Sequence, residues 1–203
     1  MARGADHFPI MSASNPPPPH SHILLTLPNM ITLARLVAVP VTIWLILQHR
    51  LDHAFLLFLA AGISDALDGW LARVLNARSA IGALLDPVAD KALLVSVYVT
   101  LAAIGVLPDW LAILVVFRDV VIVGGLALLW MLGSRPPIRP LWVSKFNTLL
   151  QILLAALALM AAGYGLAMAT ILHLLIWAVA ATTVISGIAY VVTSARQLQA
   201  PQL

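Results

Sequence analysis

The chain contains no cysteine and no glutamate. The first absence rules out disulfides, thiolate metal sites and a cysteine nucleophile. The second leaves aspartate as the sole acidic side chain, with eight acidic residues in 203. Charge itself is scarce, at 9% of residues, where a soluble domain carries about 25%. Hydrophobic residues make up 62%, and mean hydropathy is +1.02. These values exclude an ordinary soluble domain and describe an integral membrane protein. Spanning a bilayer leaves helices or a closed barrel, because backbone polar groups find no water there. The apolar runs are long and continuous, not alternating, which selects helices. The six histidines are scattered without metal-ligand spacing. His20 and His22 lie in the polar N-terminus, and His49 and His53 in a short loop, so they read as interfacial or exposed side chains. The net charge of +3 and pI near 9.8 suit an anionic lipid surface, not nucleic acid.

Residues 1–22, with the run Ser-Asn-Pro-Pro-Pro-Pro-His, read as a disordered tail. The tail lacks the apolar core of a signal peptide. A six-helix domain is expected over 23–196, and a short tail over 197–203. The expected spans are 29–48, 54–75, 86–107, 110–132, 145–164 and 169–193, each near the ~20 residues needed to cross a bilayer core. Pro28 opens the first, Pro108-Asp109 separates the third and fourth, and Gly133 to Pro140 breaks the chain before the fifth. Arg3, Arg73, Arg78, Arg135, Arg139, Lys145 and Arg196 then fall on one side and only Arg50 on the other. The positive-inside rule makes the first side cytoplasmic, with both termini there.

Half of the acidic residues sit in one segment, at Asp65, Asp68, Asp86 and Asp90. Carboxylates at membrane depth are expensive and mark function. Four together cannot all stay ionised without cations, since like charges raise one another's pKa. Hard oxygen ligands suit Mg²⁺, Mn²⁺ or Ca²⁺. Asp65 and Asp68 are three apart, and Asp86 and Asp90 four apart, so each pair shares a helix face. Gly69, Ala72 and Gly82 are small enough for close approach, and Arg73 suits a phosphate. The competing reading is a set of structural ion pairs with Arg73, Lys91 and Arg118.

The run Asp65-Ala-Leu-Asp68-Gly69-Trp-Leu-Ala72-Arg73, then eight residues, then Gly82-Ala-Leu-Leu-Asp86-Pro-Val-Ala-Asp90, resembles the signature of the CDP-alcohol phosphatidyltransferase family. Every position of its pattern, D-x2-D-G-x2-A-R-x8-G-x3-D-x3-D, is matched. The resemblance implies an all-α membrane bundle of six transmembrane helices, usually a homodimer. It implies transfer of a phosphatidyl group from a CDP-linked lipid, CDP-diacylglycerol, to an alcohol, with release of CMP. It assigns Asp65, Asp68, Asp86 and Asp90 to two divalent metals, Mg²⁺ or Mn²⁺, and Asp90 also to the base on the acceptor hydroxyl. Asn29, Thr32, Asp65, Asp68, Gly69, Ala72, Arg73 and Gly82 are expected to bind the nucleotide. The site would face the cytoplasm at the ends of the second and third helices. A bacterial inner membrane is expected, since no organelle-targeting segment is evident.

The acceptor is read from weaker signals. Arg118-Asp119 interrupts the fourth apolar segment and must face the bundle interior. It reads either as a grip on the acceptor's phosphate or as a closed pair. Lys145, Asn147 and Gln151 open the fifth segment beside a basic loop, where an anion site is plausible; the plainer reading is interfacial snorkelling. The pieces Pro-Asn-Met-Ile-Thr-Leu-Ala-Arg35, Phe-Arg118-Asp119-Val and Val-Ser-Lys145-Phe-Asn147-Thr148-Leu-Leu-Gln151 look more similar to the CMP-forming cardiolipin synthase branch. Its acceptor is phosphatidylglycerol. The alternative branch makes phosphatidylglycerophosphate from glycerol 3-phosphate. A different class, an ion-coupled transporter, also uses intramembrane Asp and Arg, but the chain has no inverted repeat and no duplicated broken helix.

Overall fold

The computed structural model describes the backbone of residues 27–74, 80–131 and 142–199, and the side chains of residues 33–65, 67, 91–125 and 142–193. Among the described residues there are six α-helices and no strand: α1 (Leu27–Leu47), α2 (Leu51–Val74), α3 (Ala80–Ala103), α4 (Asp109–Met131), α5 (Trp142–Tyr164) and α6 (Ala169–Gln199). Five of the expected spans agree closely at their starts. The third does not, since α3 begins at Ala80 and not at 86. The residues Ala80 to Leu85 are small or apolar, and they lengthen the helix at its start.

The helices end for a shared reason. Gly105 follows α3 with φ 76°, Val106 N donates to Leu101 O at 2.9 Å and Gly105 N to Ala102 O at 2.8 Å. That pattern closes the last carbonyls of a helix around a left-handed residue. Gly165 does the same after α5, at φ 65°, with Leu166 N donating to Ala161 O. After α1 the left-handed position is filled by His49 at φ 57°, a conformation that costs a residue with a Cβ. Each odd helix is thus folded back tightly onto the next even one. At the start of α2, the His53 ring hydrogen-bonds Asp52 at 2.9 Å.

Helix packing forms two rings of four that share one edge. α1, α2, α5 and α3 make the first ring, and α3, α4, α6 and α5 the second. The shared edge carries a hydrogen bond from the fully buried Tyr98 hydroxyl to Gln151 O at 3.0 Å. Around it pack Val97, Leu101, Leu111, Val115, Leu154, Leu159 and Val179. Large apolar side chains also cover the outside, among them Leu36, Ile113, Phe117, Val120, Leu174 and Ile188. So much exposed apolar surface marks a membrane or partner contact. α5 and the Ala169–Thr193 part of α6 are long and apolar enough to cross a membrane.

The end of α5 and the start of α2 meet at one end of the bundle. A Cβ on Gly163 would lie 2.5 Å from Asp52 N and 2.8 Å from Leu51 C. Neither backbone atom can swing aside. Gly163→Val is expected to destabilise the protein by about 1–3 kcal/mol through overpacking. The check is thermal unfolding in detergent beside Gly124→Ala, where a Cβ meets nothing within 4 Å. Equal melting temperatures for the two variants would contradict the close approach.

Candidate active site

The first ring encloses a cleft of about 380 Å³. Its wall is mostly apolar, with Phe58, Leu59 and Ile63 from α2, Leu93 and Leu94 from α3, and Ile152 and Ala156 from α5. Among the described residues four polar side chains interrupt it: Arg35 from α1, Asp65 from α2, Lys91 from α3 and Thr148 from α5. An apolar slot with a few convergent polar groups is the usual form of a ligand site. Here the apolar part suits a hydrocarbon chain and the polar part a charged headgroup.

Arg35 Nη2 holds Asp65 Oδ1 at 2.8 Å. The guanidinium is buried, with 4% of its side chain exposed, whereas 43% of the Asp65 side chain is open. Arg35 therefore fixes the carboxylate from behind and leaves it accessible from the cleft. The sequence reasoning missed this residue as a functional group. The signal was available, since Arg35 is a lone cation inside an apolar segment, the argument applied to Arg118.

Asp68, Gly69, Ala72 and Arg73 follow Asp65 on α2, and Gly82, Asp86 and Asp90 lie on α3. Asn29 and Thr32 lie on the first turns of α1. The side chains of these nine lie outside the described residues. Among the described residues no group of three metal-ligating side chains occurs.

The expected acceptor residues separate into three environments. Arg118 is buried; Nη1 donates to Asp119 Oδ1 at 2.7 Å, and Nη2 to Ser144 Oγ at 2.5 Å and Ser186 Oγ at 2.6 Å. Asp119 also receives Lys91 Nζ, at 3.0 Å on Oδ1 and 2.8 Å on Oδ2. Asn147 and Gln151 are fully buried and face α6. Asn147 Oδ1 accepts from Thr182 at 2.8 Å and Thr183 at 2.9 Å, and Gln151 Nε2 donates to Thr183 at 3.4 Å. Asn147 Nδ2 and Gln151 Oε1 are buried without a hydrogen-bond partner among the described residues, an arrangement that costs desolvation. Lys145 is exposed, with Nζ 5.5 Å above the Trp142 ring. On α5 it is Thr148, not Asn147 or Gln151, that lines the cleft.

Comparison with known proteins decides the family. The model of the CDP-alcohol phosphatidyltransferase family matches residues 25–195. The chain belongs to this family. Its members are membrane enzymes that act on CDP-linked alcohols with a divalent metal. The chain is similar to the chloroplastic CDP-diacylglycerol–glycerol-3-phosphate 3-phosphatidyltransferase 1 of Oryza sativa subsp. japonica, with 35% identity over 184 residues, covering 82% of this chain and 56% of that protein. It is similar to the cardiolipin synthase (CMP-forming) of Homo sapiens, with 32% identity over 181 residues, 81% of this chain and 60% of the relative. It also resembles the cardiolipin synthase (CMP-forming) of Streptomyces coelicolor, with 38% identity over 120 residues, 56% of each chain. The chain thus spans 56% to 60% of the length of these curated relatives. Both kinds of phosphatidyltransferase occur at similar identity.

Proposed function

We propose that the protein transfers a phosphatidyl group from CDP-diacylglycerol to the free hydroxyl of phosphatidylglycerol, giving cardiolipin and CMP. The observation that carries the transfer chemistry is the complete aspartate signature, beginning at Asp65 on the polar part of an apolar cleft. The cardiolipin assignment draws on the human and Streptomyces relatives. The rice relative supports a second reading in which glycerol 3-phosphate is the acceptor.

The donor set fits a hard divalent cation. Four carboxylates and no soft ligand suit Mg²⁺ or Mn²⁺, and Asp65, its open member, is oriented by Arg35 as ligand carboxylates commonly are. Asp65, Asp68, Asp86 and Asp90 would hold two such ions, which when bound offset charge on the phosphate oxygens and on the leaving group. In the reaction the acceptor oxygen bonds to the β-phosphorus and the bond from that phosphorus to the CMP oxygen breaks. Asp90 takes the hydroxyl proton, a role worth about 10²–10⁴ in rate. Gly69, Ala72 and Gly82 leave room for the nucleotide, beside Asn29 and Thr32, and Arg73 meets the diphosphate. The apolar wall from Phe58 to Ile63 and from Ile152 to Ala156 keeps the lipid chain out of water. On the acceptor side, the unmet groups of Asn147 and Gln151 support a polar role for the start of α5, and Lys145 and Arg118 add positive charge there.

The proposal includes six membrane spans, since every helix has at least 21 residues. It also includes a homodimer in a bacterial cytoplasmic membrane, with both termini and the site on the cytoplasmic side. The Lys and Arg distribution supports that orientation. The test uses purified protein in detergent with Mg²⁺ or Mn²⁺, CDP-diacylglycerol, and phosphatidylglycerol or glycerol 3-phosphate in parallel. CMP and cardiolipin with phosphatidylglycerol alone is the expected result. CMP with glycerol 3-phosphate alone would replace the acceptor and keep the chemistry. Absence of CMP with both would overturn the proposal.

A further inference from the structure

Lys91 differs from Arg118 in what it faces. Its side chain is 38% exposed and lines the cleft, while that of Arg118 is 5% exposed and faces protein. An ammonium has three N–H donors. Two polar contacts of Lys91 go to the two oxygens of Asp119, which leaves a donor for the cleft. Asp119 cannot follow Lys91 outward, because Arg118 holds it, and Arg118 is itself held by Ser144 on α5 and Ser186 on α6. The result is a fixed arm that joins four helices and ends in one ammonium at the cleft wall.

The charge of this arm is unbalanced. Lys91 and Arg118 contribute two positive charges and Asp119 one negative, so the trio carries +1 in a largely apolar wall. A partly desolvated net charge calls for an anion. Lys91 also follows Asp90 directly on α3. Both candidate acceptors carry the attacking hydroxyl and a phosphate at opposite ends of one glycerol unit. A hydroxyl taken up at Asp90 therefore leaves its own phosphate one glycerol length further on, and Lys91 is the next residue of the chain.

We propose that Lys91 is the cation that receives the acceptor's phosphate, and that Asp119 and Arg118 act behind it as positioning residues. The inference rests on the phosphatidyl-transfer reading above and adds the subsite of its second substrate. It assigns the contact to a phosphate in general, whether the diester of phosphatidylglycerol or the monoester of glycerol 3-phosphate.

The test is steady-state CMP release by wild type, Lys91→Met, Lys91→Arg and Asp119→Asn, with each acceptor in turn. Lys91→Met is expected to raise the acceptor KM about tenfold or more, as loss of a hydrogen bond to a charged group does. The KM for CDP-diacylglycerol should move less than twofold, and kcat should fall by less than KM rises. Lys91→Arg should recover most of the loss, and Asp119→Asn should raise the same KM. Inorganic phosphate on the wild-type enzyme gives a reading that needs no variant, and should compete with the acceptor and not with CDP-diacylglycerol. The acceptor whose KM responds identifies the phosphate source. An active wild type whose acceptor KM is unmoved by Lys91→Met, or phosphate competition against the donor alone, would overturn the assignment. A wild type that makes no CMP would instead remove the transfer reading itself.

Discussion

Asp90→Asn is expected to abolish CMP release while leaving the bundle folded. The substitution keeps the size and most of the polarity of the side chain. It removes the carboxylate proposed to accept the hydroxyl proton, which is also one of four proposed to hold metal. Loss of a general base alone costs about 10²–10⁴ in rate, and loss of ligand charge adds to this. The expected residual activity is therefore below one part in about 10³. The measurement is CMP release at saturating CDP-diacylglycerol and acceptor across a Mg²⁺ and Mn²⁺ titration, with the melting temperature recorded in parallel. Activity above a tenth of wild type, at any metal concentration, would remove Asp90 from the base role. An inactive variant that also melts far below wild type would point to a structural role for the residue.

The largest effect on stability is expected at Arg118. Its guanidinium ties Asp119, Ser144 and Ser186 together, and so joins α4 to α5 and α6, while Asp119 extends the tie to Lys91 on α3. Arg118→Met keeps apolar bulk but leaves Asp119, with a side chain 10% exposed, facing Lys91 alone, and strips two hydroxyls of their donor. Breaking one partner out of a buried pair costs about 3–5 kcal/mol. Unfolding in detergent should report a loss of that size. Lys145→Ala provides the contrast, because an exposed lysine over a tryptophan face contributes about 0.5–1 kcal/mol. Should the two variants prove equally stable, Arg118 is not holding the helices together, and the arm behind Lys91 loses its support.

Much of this architecture was legible in the sequence, for a simple reason. Continuous apolar runs and Pro or Gly breaks fix where helices start and stop, and both are local. The i,i+4 relation of Asn147 and Gln151 was equally local, and the two do share a buried face. Their partners, Thr182 and Thr183, lie more than thirty residues away on α6, and spacing within one helix carries no record of them. The pair Arg35–Asp65 was hidden in the same way, since it joins α1 to α2. The reading of Lys91 and Arg118 as structural partners of acidic residues pointed at the right cations. Among the described residues the acid that joins them is Asp119. The start of α3 falls six residues before the expected 86, since the small or apolar residues Ala80 to Leu85 continue the helix.

The edge shared by α3 and α5 is a party wall. One side closes the mostly apolar cleft and the other seals the polar interior against α4 and α6. A replacement on that wall is felt in two compartments at once, whereas one on the cleft-facing residues of α2, such as Leu59 or Ile63, is felt in one. Natural or laboratory variation that reshapes the lipid chamber therefore has its freest ground on α2. The wall is where neutral drift should be slowest.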